Sequence, residues 1–140
     1  MINRLSELEC RKIIQTGRIA RLGCIVDHEP YIVPINYNLE DNCVYSHSLP
    51  GLKIKALRKN PRTCVQVDEI ESDLCWRSVL AYGDFEEIIT PNQRKEVLGK
   101  LLKRFPMLTP VESSIAADGS SLQVIVFRIR IERMTGVSEG

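Results

Sequence analysis

The spacing of apolar residues changes several times along the chain, and each change marks an element. Leu8, Ile13 and Ile14 fall on helical spacing behind a Ser6-x-x-Glu9 capping box, with Gly17 as the stop. From residue 18 the pattern becomes β-like: residues 18–26 (RIARLGCIV), 31–39 (YIVPINYNL) and 43–48 (CVYSHS) read as strands. The turns between them are carried by Asp27-His28-Glu29-Pro30 and Glu40-Asp41-Asn42. Pro34 interrupts the second strand and cannot donate to a ladder, so an edge, a bulge or a bound ligand is expected there.

A short helix from Gly51 to Asn60 is ended by Pro61, and two further strands follow at 62–69 (RTCVQVDE) and 76–88 (WRSVLAYGDFEEI). Thr90-Pro91-Asn92-Gln93 opens a helix, with Thr90 as N-cap and Gln93 closing a box; Val97, Leu98, Leu101, Leu102 and Phe105 recur at helical spacing up to Pro106. Residues 107–120 are polar and irregular and read as loop. The last strand, 122–132, places Phe127, Ile129 and Ile131 on one face and Arg128, Arg130 and Glu132 on the other. Hairpins dominate and β-α-β alternation is missing, so the expected architecture is mainly β: a small antiparallel barrel with helices outside it.

Composition narrows the class. At 140 residues the chain is one domain, 1–140, and the 44% hydrophobic and 26% charged fractions are those of a soluble globular protein. Nineteen basic against eighteen acidic residues leave +1, which gives no general pull toward nucleic acid or an anionic membrane. No stretch has the apolar length of a membrane span, and the first residues lack a signal-peptide core, so a cytoplasmic location is expected. Cys10, Cys24, Cys43, Cys64 and Cys75 are odd in number and widely spaced, as small buried hydrophobes of a reducing compartment would be. Neither histidine stands at ligand spacing from a cysteine, so no metal site is expected.

Chemistry concentrates between Tyr45 and Lys53, in YSHSLPGLK. Helix-start N–H groups, the hydroxyls of Ser46 and Ser48 and the charge of Lys53 make a possible phosphate grip; a solvated helix carrying Lys53, Lys55 and Lys59 explains the same residues. His47 has no acid partner in sequence, and Ser46 and Ser48 point to the opposite face of its strand. His28, in a turn, reads as solvated. Trp76 is the single tryptophan, suited to stacking on an aromatic ligand, to an interface or to the core. Asp68, Glu69, Glu71 and Asp73 read as a solvated loop.

Taken in order, GRIARLG, PYIVPINY, VYSHSLPGLKIKALRKNPR, VQVDE, WRSVLAYGDFEEI and VFRIRIERMTG resemble the pyridoxamine 5′-phosphate oxidase-like superfamily of FMN-binding proteins, in the branch related to nitroimidazole-resistance proteins. The resemblance implies a six-stranded antiparallel split β-barrel and a homodimer with FMN at the subunit interface. By position, Val33, Pro34, Ile35 and Asn36 lie beside the isoalloxazine, Tyr45, Ser46 and His47 border the flavin, and Lys53 binds its phosphate. Trp76 and Ser78 reach the cofactor across the dimer. The implied activity is a flavin-dependent oxidoreductase that passes electrons from NAD(P)H to a small molecule such as a nitroimidazole, with His47 as proton donor or substrate contact. The alternative is a non-catalytic flavin- or haem-binding protein, a sensor or store, with His47 as axial ligand. Oxidases of pyridoxamine phosphate carry an arginine directly before the phosphate lysine; Leu52 stands there in this chain, which argues against vitamin B6 oxidation.

Overall fold

Alternation along the strands sorts side chains onto two faces of one curled antiparallel sheet. The computed structural model describes residues 1–106 and 124–140. In chain order the elements are β1 (Ile2–Arg4), α1 (Glu7–Thr16), β2 (Ile19–Val26), β3 (Glu29–Asn36), β4 (Asn38–Glu40), β5 (Cys43–Ser48), α2 (Leu52–Lys59), β6 (Arg62–Ser72), β7 (Cys75–Glu87), α3 (Pro91–Arg104) and β8 (Ile125–Glu139). The spatial order is β3-β2-β6-β7-β8-β5-β4, with β1 paired to the far end of β8. Both ends of that order belong to one stretch of chain, because β3 and β4 are separated only by Tyr37. Counting β3 and β4 as one broken strand and setting the short β1 aside gives the six strands of the expected split barrel. The loop expected over 107–120 and the start of the last strand lie outside the described residues.

The inner face carries Leu22, Val65, Val79, Ala81, Phe127 and Ile129, all essentially inaccessible to solvent. Helix α1 adds Cys10, Ile13 and Ile14 to this core, and α2 adds Ile54 and Leu57. Burying each such aliphatic side chain contributes on the order of 1.5–3 kcal/mol, which is where most of the stability resides. Ser6 caps α1 as expected: Glu9 N–H donates to its hydroxyl and Ser6 N–H to the Glu9 carboxylate, both at 3.2 Å. Thr90 is the N-cap of α3 with Pro91 after it, but its side chain makes no capping hydrogen bond.

Three local expectations change. The strand expected over 62–69 runs on to Ser72, so Glu71 as well as Asp68 and Glu69 lies in β6 and the acidic cluster is largely strand rather than a solvated loop. They are tolerated in the ladder because cations face them: Arg77 contacts Glu69 at 2.6 Å and Arg21 contacts Asp68 at 3.3 Å. The strand expected over 31–39 breaks at Tyr37, where the chain leaves β2 and joins β5. Strand β8 runs on to Glu139 rather than stopping at Glu132. Gly83 pairs with Ile131 and Tyr82 with Arg133, so Glu132 is an extra residue, a β-bulge that reverses the alternation beyond it. A Cβ on Gly83 would lie 2.0 Å from the Arg130 carbonyl oxygen, so only glycine admits the bulge. Asn42 clamps the far side, accepting from Ile131 N–H at 3.0 Å and donating to the Ile131 carbonyl at 2.8 Å.

The break at Tyr37 is held by a knot of polar contacts. The Tyr37 hydroxyl is fully buried and donates to the Ile14 carbonyl at 2.6 Å, satisfying a last-turn acceptor of α1. Arg104, at the end of α3, donates to the carbonyls of Tyr37 (2.9 Å) and Gly17 (2.5 Å) and to Asn38 Oδ1 (3.0 Å). A Cβ on Gly17 would stand 2.3 Å from the Tyr37 hydroxyl and 2.8 Å from Val67.

Gly17→Ala is therefore expected to cost about 2 kcal/mol or more in urea unfolding, whereas Gly99→Ala, in open space on α3, should be neutral or slightly stabilising. Burial pushes the Tyr37 phenol up to about 12, against the opposing pull of the Arg104 charge. A raised phenol pKa leaves folding unaffected below the unfolded value of about 10 and removes stability as pH climbs from there through 12. Tyr37→Phe should lose about 1–3 kcal/mol at neutral pH, because the Ile14 carbonyl stays buried without its donor. The same variant should flatten the stability loss above pH ~10, read from urea midpoints against pH.

Candidate functional site

Inner and outer faces decide what each expected site residue can offer. On β3, Val33 and Ile35 point into the barrel, and Pro34 and Asn36 point out. Among the described residues β3 pairs only with β2, so it is an edge strand whose other side has no ladder partner there. Pro34 sits there, opposite Arg21, which meets the expectation of an edge at the proline. Asn36 Nδ2 donates to the Arg18 carbonyl at 3.4 Å.

On β5 the alternation places Ser46 and Ser48 inside and Tyr45 and His47 outside. Ser46 is fully buried, and its hydroxyl donates to the Asn36 carbonyl at 2.6 Å. This bond spans the split between β5 and the end of β3. Ser48 turns its hydroxyl to the Leu49 carbonyl at 2.7 Å. Tyr45 stands opposite Arg128 in β8 and hydrogen-bonds it, which raises the guanidinium pKa; His47 stands opposite Val126. Lys53, in the first turn of α2, is half-buried and close enough to Cys24 for its charge to pull that thiol down against the upward push of burial. Its helix begins at Gly51 without any side-chain cap, leaving the first N–H groups of α2 without a side-chain acceptor.

Trp76 and Ser78 lie elsewhere, on the outer face of β7. Ser78 accepts from Gln66 Nε2 at 3.0 Å and pairs across with Asp68. Both residues border a hollow of about 390 Å³ with Ile70 and Val137. A second hollow of about 350 Å³ on the same face is lined by Ile25, Ile32, Cys64 and Tyr82. Between Pro34 and the row of Ser78 stand β2 and β6, roughly 14 Å around the outside of the curled sheet. The structure thus joins Asn36, Tyr45 and Ser46 at the split, carries Lys53 on α2, which packs on β2, and leaves Trp76 and Ser78 apart.

One group escaped sequence reading. Glu86 binds Arg130 at 2.7 Å and Arg128 at 3.1 Å, and these two guanidinium groups hold its carboxyl down at about 2. Forty-two positions separate Glu86 from Arg128, so no spacing signal could reveal the pair. Among the cysteines, Cys10, Cys24 and Cys43 are buried as expected, while Cys64 and Cys75 are only partly so. No helix among the described residues is long and apolar enough to cross a membrane.

An antiparallel sheet curled to a split, with an edge strand at the seam and helices packed outside it, is a split barrel. Residues 6–138 match the pyridoxamine 5′-phosphate oxidase family profile, and the chain belongs to that family. An uncharacterized protein of Rhizobium meliloti is 35% identical over 94% of this chain and 91% of its own length. A crystal structure of an FAD-binding protein from Mesorhizobium loti is 34% identical, superposes with a TM-score of 0.78, and covers 100% of this chain and 99% of that one. A structure from Bacteroides thetaiotaomicron, whose name proposes a role in 5-nitroimidazole antibiotic resistance, gives a TM-score of 0.78 at 20% identity, over 99% of this chain and 87% of that chain.

Ser46→Ala should leave the Asn36 carbonyl without its donor and cost about 1–2 kcal/mol. Hydrogen exchange should then accelerate at β3 and β5 rather than across the whole sheet; uniform acceleration would show that the bond is not what holds the split.

Proposed function

We infer that this chain is a flavin-dependent oxidoreductase that works as a homodimer, with the isoalloxazine, ribityl chain and first phosphate, the FMN portion of the cofactor, at the subunit interface. The observation that carries this reading is the backbone edge of β3 at Val33–Asn36, which has no ladder partner among the described residues and lies beside the split that Ser46 bridges. A flavin ring presents a polar edge of carbonyl and ring nitrogens, and unpaired strand groups are its natural complement. The similar Mesorhizobium loti protein, named as FAD-binding, supports the same choice of cofactor.

When bound, the flavin supplies the redox step, accepting a hydride equivalent from a reduced nicotinamide and passing electrons to a small electrophile such as a nitroaromatic. The chain supplies placement and charge. The Val33, Pro34 and Ile35 backbone and the Asn36 side chain orient the ring edge. Lys53 and the uncapped start of α2 neutralise the phosphate. Tyr45, on the outer face, borders the ring, Ser46 holds the seam beneath it from inside, and His47, on the outer face, delivers the proton that accompanies the electrons.

Curvature supports dimerisation. The expected ligand residues sit on a convex surface, where outward side chains diverge and cannot enclose a planar molecule. The same surface exposes Ile19, Ile25, Ile32, Ile70 and Val137, an apolar area of the kind that marks an interface. A second copy covers it and brings Trp76 and Ser78 of the partner subunit to the cofactor.

Titration with FMN should give tight binding that Lys53→Ala weakens about ten- to a hundredfold, from loss of a charge-assisted contact. Light scattering should report a dimer, and Ile32→Asp should yield a monomer that no longer holds flavin. Bound flavin that neither nicotinamide reduces would exclude the oxidoreductase and leave a binding protein. A wild-type monomer that binds flavin fully would overturn the interface site.

A further inference from the structure

The outer face of β5 and β8 carries a guanidinium whose counter-charge is incomplete. Arg128 stands between Tyr45 on β5 and Glu86 on β7. Its Nη2 donates to Glu86 at 3.1 Å, but the same carboxylate takes two bonds from Arg130, at 2.7 and 3.2 Å. One carboxylate thus serves two cations, and Arg130 holds the closer share. The next acid along, Asp84, faces Arg130 across the ladder and contacts Arg62 at 3.7 Å; Glu132 goes to Arg62 at 2.7 Å. The acids of this face gather at the Arg62 end, and Arg128 is the cation left at the other.

The Tyr45 side does not supply the missing charge. Asn38 stands opposite Tyr45 on β4 and binds a further guanidinium, that of Arg104, at 3.0 Å. Glu40, the acid on β4, is taken by Lys100 at 2.9 Å. Tyr45 therefore lies between two cations. Its hydroxyl bonds Arg128, yet Nε of Arg128 is shut off from solvent without a hydrogen-bond acceptor. Withdrawing a charged donor from water without a partner is costly, so a guanidinium in this state gains from an added anion. The head is reachable: the Arg128 side chain is 21% exposed. Tyr45 and His47 are two positions apart on β5 and share its outer face, about 7 Å along the strand. An anion held at Arg128 thus lies one small ring away from the imidazole.

We propose that Arg128, with the Tyr45 hydroxyl, binds a carboxylate of the molecule reduced at the flavin, so that the preferred electrophile is a small aromatic acid with its reacting group and its carboxylate at opposite ends of one ring. The proposal rests on the flavin reading above and names its substrate class. A planar carboxylate suits the guanidinium fork, and the length of one ring matches the spacing from Tyr45 to His47. The contact adds binding and no new chemical step.

The test pairs 4-nitrobenzoate with its neutral isostere 4-nitrobenzamide, and benzoate with benzamide, on flavin-loaded protein. Turnover with a reduced nicotinamide should favour the nitro acid about ten- to a hundredfold in kcat/KM, mainly through KM. Calorimetry should show benzoate bound and benzamide not. Arg128→Gln should remove both differences. Glu86→Gln frees Arg128 of its shared carboxylate and should tighten benzoate binding, whereas an arginine that only ties β7 to β8 predicts no gain. Should Arg128→Gln fail to fold, Glu86→Gln still decides. Equal kcat/KM for acid and amide, no benzoate binding, or benzoate binding unchanged in Glu86→Gln overturns the carboxylate site while the flavin reading stands. Bound flavin that neither nicotinamide reduces, with benzoate still held through Arg128, overturns the oxidoreductase and leaves a carboxylate-binding flavoprotein. Failure to bind flavin overturns both.

Discussion

The buried hydroxyl of Tyr37 is the contact on which the rest of the arrangement depends. At this residue the chain abandons one end of the sheet and joins the other, so an error here would unroll the barrel. Three segments far apart in sequence converge on it: the end of α1 through Ile14 and Gly17, the break between β3 and β4, and the end of α3 through Arg104. A phenol, a guanidinium and several carbonyls are withdrawn from water together, and each finds a partner, which is the condition for burying polar groups without loss. Gly17 is the space that allows it. The packing of Arg18 and Arg104 on the Phe105 ring, at 4.7 and 5.3 Å, fastens the same corner from outside.

Curling the sheet creates the functional surface as well as the core. A flat sheet would offer one broad face; the curl leaves an open strand edge at β3, a polar seam where Ser46 reaches Asn36, and a convex apolar exterior. Those three features have different uses. The edge leaves backbone groups without ladder partners among the described residues, the seam fixes the distance between β3 and β5, and the exterior leaves apolar area exposed. None alone makes a pocket.

Much of this was legible in the sequence, for reasons that can be traced. The capping box at Ser6 and Glu9, the Pro91 helix start and the alternation of Phe127, Ile129 and Ile131 are local signals, and local signals survive into the fold. Pro34 announced an edge because proline has no donor. What stayed hidden is non-local. The acidic run from Asp68 to Asp73 hid how far β6 extends, because the cations that neutralise Asp68 and Glu69, Arg21 and Arg77, are known to face them only once the strands are paired. Of the candidate site, Tyr45 to Lys53 was visible as a dense run of chemistry, but that Ser46 faces inward to tie the split and His47 outward is a matter of register. The knot at Tyr37 gave no sign, since its partners lie 23 and 67 positions away.

The bulge at Glu132 has a consequence for how this chain can vary. It acts as a phase shift: before it odd-numbered positions of β8 face the core, and after it even-numbered ones do. Were the second half paired without the bulge, with Glu132 in an ordinary ladder position, it would fall out of step, driving Arg133 and Thr135 inward and Met134 outward while every individual residue stayed the same. Length changes that a surface turn absorbs easily are therefore forbidden within this strand, and insertions and deletions that accumulate over evolution must be confined to the connections around it.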